Sequence, residues 1–353
     1  MKKVEDMRGF RDRDFLQTTE KFFFCVVSPF HPSDRVISYL KYVPAKLGIW
    51  GRGKERFKRV MRAYTIPNLL ETFNILESYP HYLFYSLVYN IKMTAVPHEY
   101  IVKHFKPEEK LAQLFQTSSL DSLQRKMLRL VSFLAEASDI SLNSFGVTGS
   151  ILTDIHSPKF SDIDITVYGL KNSLAVKNAL TEAYSSSSSM VQRFKEKALE
   201  TWLDNKAKNY PLTTREALQI YKRKWNIGSF EYTRFSIHPV KLEHKLVEQY
   251  GDKTYHPLGA VTIRAVVCEN TDYLFLPAVY RVRDVKVVDG PSVTDIEEVV
   301  SYESLYDSLA EIGETIIVRG KLERVLDKKT GKEYHRVLAG SPEGKGGEYI
   351  KLA

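Results

Sequence analysis

The chain has 353 residues, 43% of them hydrophobic and 12% aromatic, with 51 lysines and arginines against 43 aspartates and glutamates and a formal charge of +8. That length exceeds a single domain of about 100 to 200 residues and brings apolar material for more than one core, which excludes global disorder and a small disulfide scaffold. The basic balance favours anionic partners, such as nucleic acid, nucleotides or an acidic membrane, without choosing among them.

The two cysteines, Cys25 and Cys268, lie far apart in apolar strand-like runs, and no Cys or His grouping has zinc spacing, so both are expected as buried thiols in a reducing cytosol. The first residues lack an apolar h-region and no run approaches about 18 apolar residues, so a cytoplasmic protein that does not cross a membrane is expected.

Residues 22–43 read as two strands, FFFCVVSPF and RVISYLKYV, joined by the turn-forming His31-Pro32-Ser33-Asp34, within an α+β N-terminal unit over 1–105. Between positions 41 and 62 eight basic residues, among them Arg56, Lys58 and Arg59, oppose Glu55 alone. Tyr42, Trp50 and Phe57 are interleaved with them, a pattern that suits phosphate contact and base stacking, or else an ordinary solvated basic face. Apolar spacing predicts helices over 68–79, with Asn68 as N-cap, over 108–115 after Pro107, and over 122–137. The last two open a central unit spanning 106–250.

Residues 144–169 read SFGVTGSILTDIHSPKFSDIDITVYG. A short strand over 145–148, a tight turn at Gly149-Ser150 and a short helix over 151–156 would turn free amides towards an anion such as a triphosphate. Downstream, Asp162, Asp164 and Thr166 alternate with Ile163, Ile165 and Val167, so a strand of period two sets both carboxylates on one face. Two neighbouring acids repel unless cations lie between them, and hard oxygen donors suit magnesium or manganese.

The Gly149-Ser150 turn, the intervening positions 151–161 and Asp162-Ile163-Asp164, preceded by Ser161, resemble the signature of the DNA polymerase beta-like nucleotidyltransferase superfamily. The whole chain also looks like an archaeal group of nucleotidyltransferases with this palm at the centre and a β-rich C-terminal domain. The resemblance implies a palm of mixed sheet with flanking helices, Mg2+ or Mn2+ held by Asp162 and Asp164, and a nucleoside triphosphate whose β- and γ-phosphates meet Gly149 and Ser150. Lys159, in the loop before the aspartates, would neutralise phosphate charge. The acceptor expected is a hydroxyl of RNA or DNA, with a small molecule or a protein side chain as the alternative, since the superfamily's fold serves many acceptors. The superfamily's third carboxylate, from a later strand, has no counterpart in 234–240; Glu231 is the best substitute and Glu243 the second, with His238 the alternative as general base. The absent acid also admits a different reading, a nucleic-acid-binding protein built on a palm that has lost catalysis.

Beyond the palm motif, a helix is predicted over 174–184, packed through Leu174, Val176, Leu180 and Ala183, followed by a serine-rich loop over 185–189. Two helices over 193–224 carry nine basic residues against four acids, with Lys222, Arg223 and Lys224 the candidate nucleic-acid contacts, unless the tract is a plain exposed face. From about residue 256 short strand candidates dominate, with a hairpin turn at 327–331 and one helix over 304–310, which predicts a small OB-like or SH3-like barrel over 256–353. Arg319, Lys321, Arg324 and His335 could face a ligand on it. Residues 341–347 are glycine-rich beside a lysine but lack the ending of a P-loop, and read as a surface loop.

Overall fold

The protein is described by a computed structural model over residues 8–51, 53–186, 189–242 and 248–353. It is a mixed α+β structure with three sheets. The first is built from β1 (Phe15–Thr18), β2 (Phe23–Val26), β3 (Arg35–Pro44), β4 (Phe57–Arg59), β5 (Leu83–Ser86), β6 (Ile91–Pro97) and β7 (Ile101–Phe105), in the order β5-β6-β3-β2-β1-β7 with β4 paired to β3. The predicted hairpin is its β2–β3 pair, antiparallel with Cys25 opposite Tyr39. Helix α1 (Ile66–Leu76) starts earlier than the apolar spacing suggests. Thr65, not Asn68, is its N-cap, because the Thr65 hydroxyl accepts from the Asn68 amide and Pro67 sits in the first turn, where no N–H is required.

Helices α2 (Pro107–Gln116) and α3 (Ser122–Ser138) follow, the latter fixed by a capping box between Asp121 and Gln124. The chain then runs through β8 (Phe145–Val147), α4 (Gly149–Leu152), β9 (Ile163–Tyr168), α5 (Leu170–Ser185), β10 (Val191–Gln192), α6 (Glu196–Asn209), α7 (Thr214–Arg223), β11 (Ile227–Phe230) and β12 (Thr233–Val240). Their strands form the second sheet, ordered β10-β11-β12-β9-β8, in which only β9 and β12 run parallel. Ile163, Ile165 and Val167 are fully buried on one face of β9 and join Leu130, Leu134, Val176 and Leu180 in the main core. Leu174, predicted to pack, is 37% exposed, since α5 buries the face of Ser173, Val176 and Leu180 and a position two residues before Val176 falls on the opposite side of a helix. Positions 187 and 188 of the serine-rich loop and Glu243 lie outside the described residues.

The third sheet holds β13 (Lys253–Glu269), β14 (Ala278–Asp289), β15 (Ile296–Ser301), β16 (Thr315–Asp327), β17 (Glu333–Ala339) and β18 (Tyr349–Leu352). Pairing runs β13-β14-β15-β17-β16, and β16 pairs again with β13, with β15 and β17 parallel. Two expectations fail here. Cys268 is exposed, whereas Cys25 is buried. Residues 304–310 form turns rather than a helix, because the groups that a helix needs are engaged elsewhere: the Tyr280 hydroxyl donates to the Tyr306 carbonyl and accepts from the Leu309 amide, Lys224 Nζ takes the Ser304 and Asp307 carbonyls, and Ser308 has φ of 55°.

A buried carboxyl in this region gives a pH signature. Burial, then the nearby Glu348 carboxylate, push Glu303 up to about 8, against the pull of Lys206. Between the unfolded value of 4.5 and about 8 the folded chain holds a proton that the unfolded chain releases, so stability falls as pH rises through that window. Glu303→Gln should flatten this slope and leave the variant more stable than the parent near pH 9, by on the order of a few kcal/mol in urea titrations. An unchanged slope would show that Glu303 is ionised in the fold.

Candidate functional site

The site forms where β8 ends and β9 begins. After β8 the chain must reverse within Thr148-Gly149-Ser150, and Gly149 takes φ of +68°, a left-handed conformation that costs other L-residues about 1–2 kcal/mol. The turn lies directly on the acidic strand: a Cβ at Gly149 would stand 2.3 Å from Asp164 Oδ2, and the Thr148 amide donates to the Asp164 carbonyl at 2.9 Å. The helix that follows is shorter than predicted and includes the glycine and serine themselves; Ser150 is buried, and its carbonyl accepts from the Ile155 amide at 3.1 Å. Ser161 is also buried, its hydroxyl accepting from the Ser157 amide at 2.9 Å, which closes the loop before the aspartates. Lys159 is exposed on that loop.

Gly149→Ala is therefore expected to destabilise the fold by about 1–2 kcal/mol or more and to displace the Asp164 carboxylate. Chemical unfolding together with titration of a nucleoside triphosphate reads both effects; a variant with parental stability and affinity would remove the turn from the site.

Asp162 stands at the rim, open to solvent on one side. Protein crowded against its inner side and then the Asp164 charge push its carboxyl up to about 6. Asp164 is held the opposite way. Burial would raise its carboxyl, but the His238 ring, with Nε2 3.7 Å from Oδ1, the Lys41 ammonium and the Ser236 hydroxyl outweigh that and leave it well below the usual range. In the parallel β9–β12 pair Ser236 lies directly opposite Asp164, and its hydroxyl donates to Oδ1 at 2.5 Å. Ser236 Oγ is also 2.8 Å from His238 Nε2. A serine has one proton to give, and Asp164 takes it, so Nε2 carries the imidazole hydrogen. Burial and the Arg13 charge lower His238 to about 4, so this imidazole is neutral at pH 7. The pattern of β12 shows the alternation, but not that a Ser–His pair would line up with Asp164 on the neighbouring strand.

Sequence reasoning names Arg59 as a phosphate contact and counts Lys41 in the same basic tract, but does not set either beside Asp164. Lys41 on β3 is buried beneath the rings of Phe15 and Tyr64, at 5.1 and 5.3 Å, and Arg59 on β4 stacks over Tyr64 at 5.3 Å. Both interact electrostatically with Asp164. The N-terminal sheet is thus docked on the acidic turn. Thr148 Oγ1 donates to the Arg13 carbonyl, the Gly51 amide donates to the Ile155 carbonyl, and Trp50 meets Phe160 edge to face at 5.0 Å. The basic tract of 41–62 is divided accordingly: Arg59, donating to the Met61 carbonyl, acts on the carboxylates through its charge, whereas Arg56 and Lys58 remain exposed, with Arg56 donating to the Gly51 carbonyl.

Glu231 is not brought to Asp164. It occupies the two-residue turn between β11 and β12 with φ of 45°, and Arg129 clamps its carboxylate at 2.6 and 2.9 Å. Arg234, three residues on, is the residue level with Asp162 in the strand register, and its charge partly offsets the rise in the Asp162 carboxyl. The second basic tract also serves the fold. Arg193 donates to the Tyr221, Lys222 and Lys224 carbonyls at the end of α7, Arg223 pairs with Glu314 at 2.6 Å, and Lys224 is buried in a pair with Asp307. Lys222 alone of the three named contacts is exposed. On the third sheet Arg319 and Arg324 are exposed, His335 bonds the Thr294 carbonyl and Lys321 is buried in an ion pair with Glu323.

Asp162 and Asp164 can hold one divalent cation together with substrate oxygens, which is the usual manner for magnesium. Among the described residues no group of three or more His, Cys, Asp or Glu side chains forms an all-protein metal site, and no helix is long and apolar enough to cross a membrane.

No family model matches the chain, and no solved structure does. The uncharacterized protein MJ1086 of Methanocaldococcus jannaschii is 30% identical over 354 aligned positions, which span 97% of this chain and 98% of that protein. With that identity sustained from end to end, the chain belongs to the family of MJ1086.

Proposed function

We propose that the protein is a cytoplasmic, metal-dependent nucleotidyltransferase that moves a nucleoside monophosphate from a triphosphate to a hydroxyl of RNA or DNA, with pyrophosphate leaving. The observation that carries the reading is the Gly149 turn pressed against Asp164 so closely that no side chain fits between them. In this reading the second sheet is the palm, and the ring of pairings in the third is an OB-like barrel. Asp162 and Asp164 hold Mg2+ or Mn2+, whose chemistry when bound is to neutralise the triphosphate and ease ionisation of the acceptor hydroxyl. The chain's own groups do the rest. Backbone amides at Gly149 and Ser150 receive phosphate oxygens, and Lys41 and Arg59 offset charge on them from the side of the N-terminal sheet. Ser236, oriented by His238, fixes the Asp164 carboxylate.

A second reading, a nucleic-acid-binding protein with impaired catalysis, is favoured by Ser236, which stands opposite Asp164 where the superfamily resemblance would set a third carboxylate. The two are separated by incubating the protein with α-labelled ribonucleotides, magnesium or manganese, and cellular RNA. Label in RNA supports transfer. No label under either metal, with salt-dependent and metal-independent RNA binding, supports the second reading.

A further inference from the structure

A cavity of about 200 Å³ lies between the first and third sheets, and neither aspartate of the acidic turn lines it. Its floor is apolar. Ile66, Leu69 and Phe73 recur at spacings of three and four along α1 and face this space, as do Ile37 on β3 and Met93 on β6. An amphipathic helix ordinarily buries such a stripe against other side chains, so a void over it leaves dispersion contacts unmade. Cavities of about 150 Å³ already accept benzene, so this one holds a ring system of that size or slightly larger.

The other walls are polar and asymmetric in charge. Lys321 and Arg336, on β16 and β17, share one carboxylate, Glu323, at 2.9 and 2.8 Å. Lys321 also reaches Glu343 at 3.3 Å, but that carboxylate is half exposed and its charge is screened by water. Arg13, which lines the cavity too, is ion-paired through Nε with Asp12, at 3.3 Å. That Nε is buried and out of hydrogen-bonding geometry with Asp12, and the buried Tyr39 hydroxyl has the Cys25 thiol, a weak partner, beside it. Buried donors are almost always satisfied, and two so weakly held, on residues that line one cavity, would gain from a better acceptor supplied from outside. Exposed Tyr64 and Lys92 mark the mouth through which it would enter.

We propose that this cavity binds a small molecule with a flat apolar body and one anionic group, the body against α1 and the anion at Arg13 and the Tyr39 hydroxyl. The proposal stands independently of nucleotidyl transfer, because it uses neither aspartate. Calorimetric titration with three probes of one shape and different charge tests it: indole-3-acetate, indole and tryptamine. Indole-3-acetate should bind at one site, about tenfold more tightly than indole, with tryptamine weakest. Leu69→Trp, which fills the cavity, should abolish binding. Tyr39→Phe, which removes a single oxygen, should weaken indole-3-acetate about fivefold and leave indole unchanged, and it keeps the test valid if the larger substitution impairs folding. Absence of indole-3-acetate binding, equal affinity for the three probes, or affinity unaltered by Tyr39→Phe would each overturn the proposal.

Discussion

Asp162→Asn and Asp164→Asn are each expected to lower the proposed nucleotidyl transfer by on the order of 10³-fold or more, because each removes one of the two carboxylates that would hold a divalent cation worth several kcal/mol of transition-state charge stabilisation. Folding should survive both changes. Asp162 is at the rim, and an amide at 164 still offers an oxygen to the Ser236 hydroxyl, while the hydrogen bond from Thr148 goes to the backbone carbonyl and is untouched. The variants should nevertheless differ in one respect. Lys41 loses a nearby counter-charge only in Asp164→Asn, whereas the Arg59 charge acts on both carboxylates, so Asp164→Asn should bind inorganic pyrophosphate more tightly than Asp162→Asn does. Label transfer to RNA, calorimetry with pyrophosphate and near-ultraviolet circular dichroism measure the three effects. Full transfer by both variants would sink the assignment of the site.

How much of this was legible in the sequence depends on range. The alternation along β9 and the glycine at the end of β8 are local, and they define the strand, the turn and the shared face of the aspartates from residues within about one turn of one another. The partners of Asp164 are not local. Ser236 and His238 arrive through the parallel pairing of β12 with β9, and Lys41 and Arg59 through docking of a sheet more than 100 residues upstream, so no spacing rule could join them. Glu231 has the chemistry of a metal ligand, but a two-residue hairpin with positive φ at both positions holds it at the tip, where Arg129 on α3 meets it. Likewise the seven residues 304–310 have a helical apolar pattern, and what defeats it is competition for their carbonyls by Tyr280 and Lys224, side chains from two other parts of the chain.

Lys224 is where charge counting and structure part most clearly, and its replacement should show which is right. In the sequence it ends a run of three basic residues suited to phosphate contact. In the fold its ammonium is buried, donating to the Ser304 carbonyl at 2.5 Å, the Asp307 carbonyl at 3.1 Å and Asp307 Oδ1 at 2.7 Å, while the adjacent Trp225 and Asn226 bond to Ser308 and Asp307. Lys224→Ala strands the Asp307 carboxylate without its cation and should cost about 3–5 kcal/mol, a large share of the roughly 5–15 kcal/mol that holds a domain together. The double variant Lys224→Met with Asp307→Leu should recover most of that loss, since no charge is then left buried and unpaired. Nucleic-acid binding should behave in the opposite sense. A lysine that neutralises a phosphate on single-stranded RNA contributes about 0.7 to the slope of log affinity against log salt. The Lys224 and Asp307 double variant should leave that slope unchanged, whereas exposed Lys222→Ala should lower it if RNA lies along α7. A slope reduced by loss of Lys224, with stability unaffected, would mean that the buried pair opens when RNA binds.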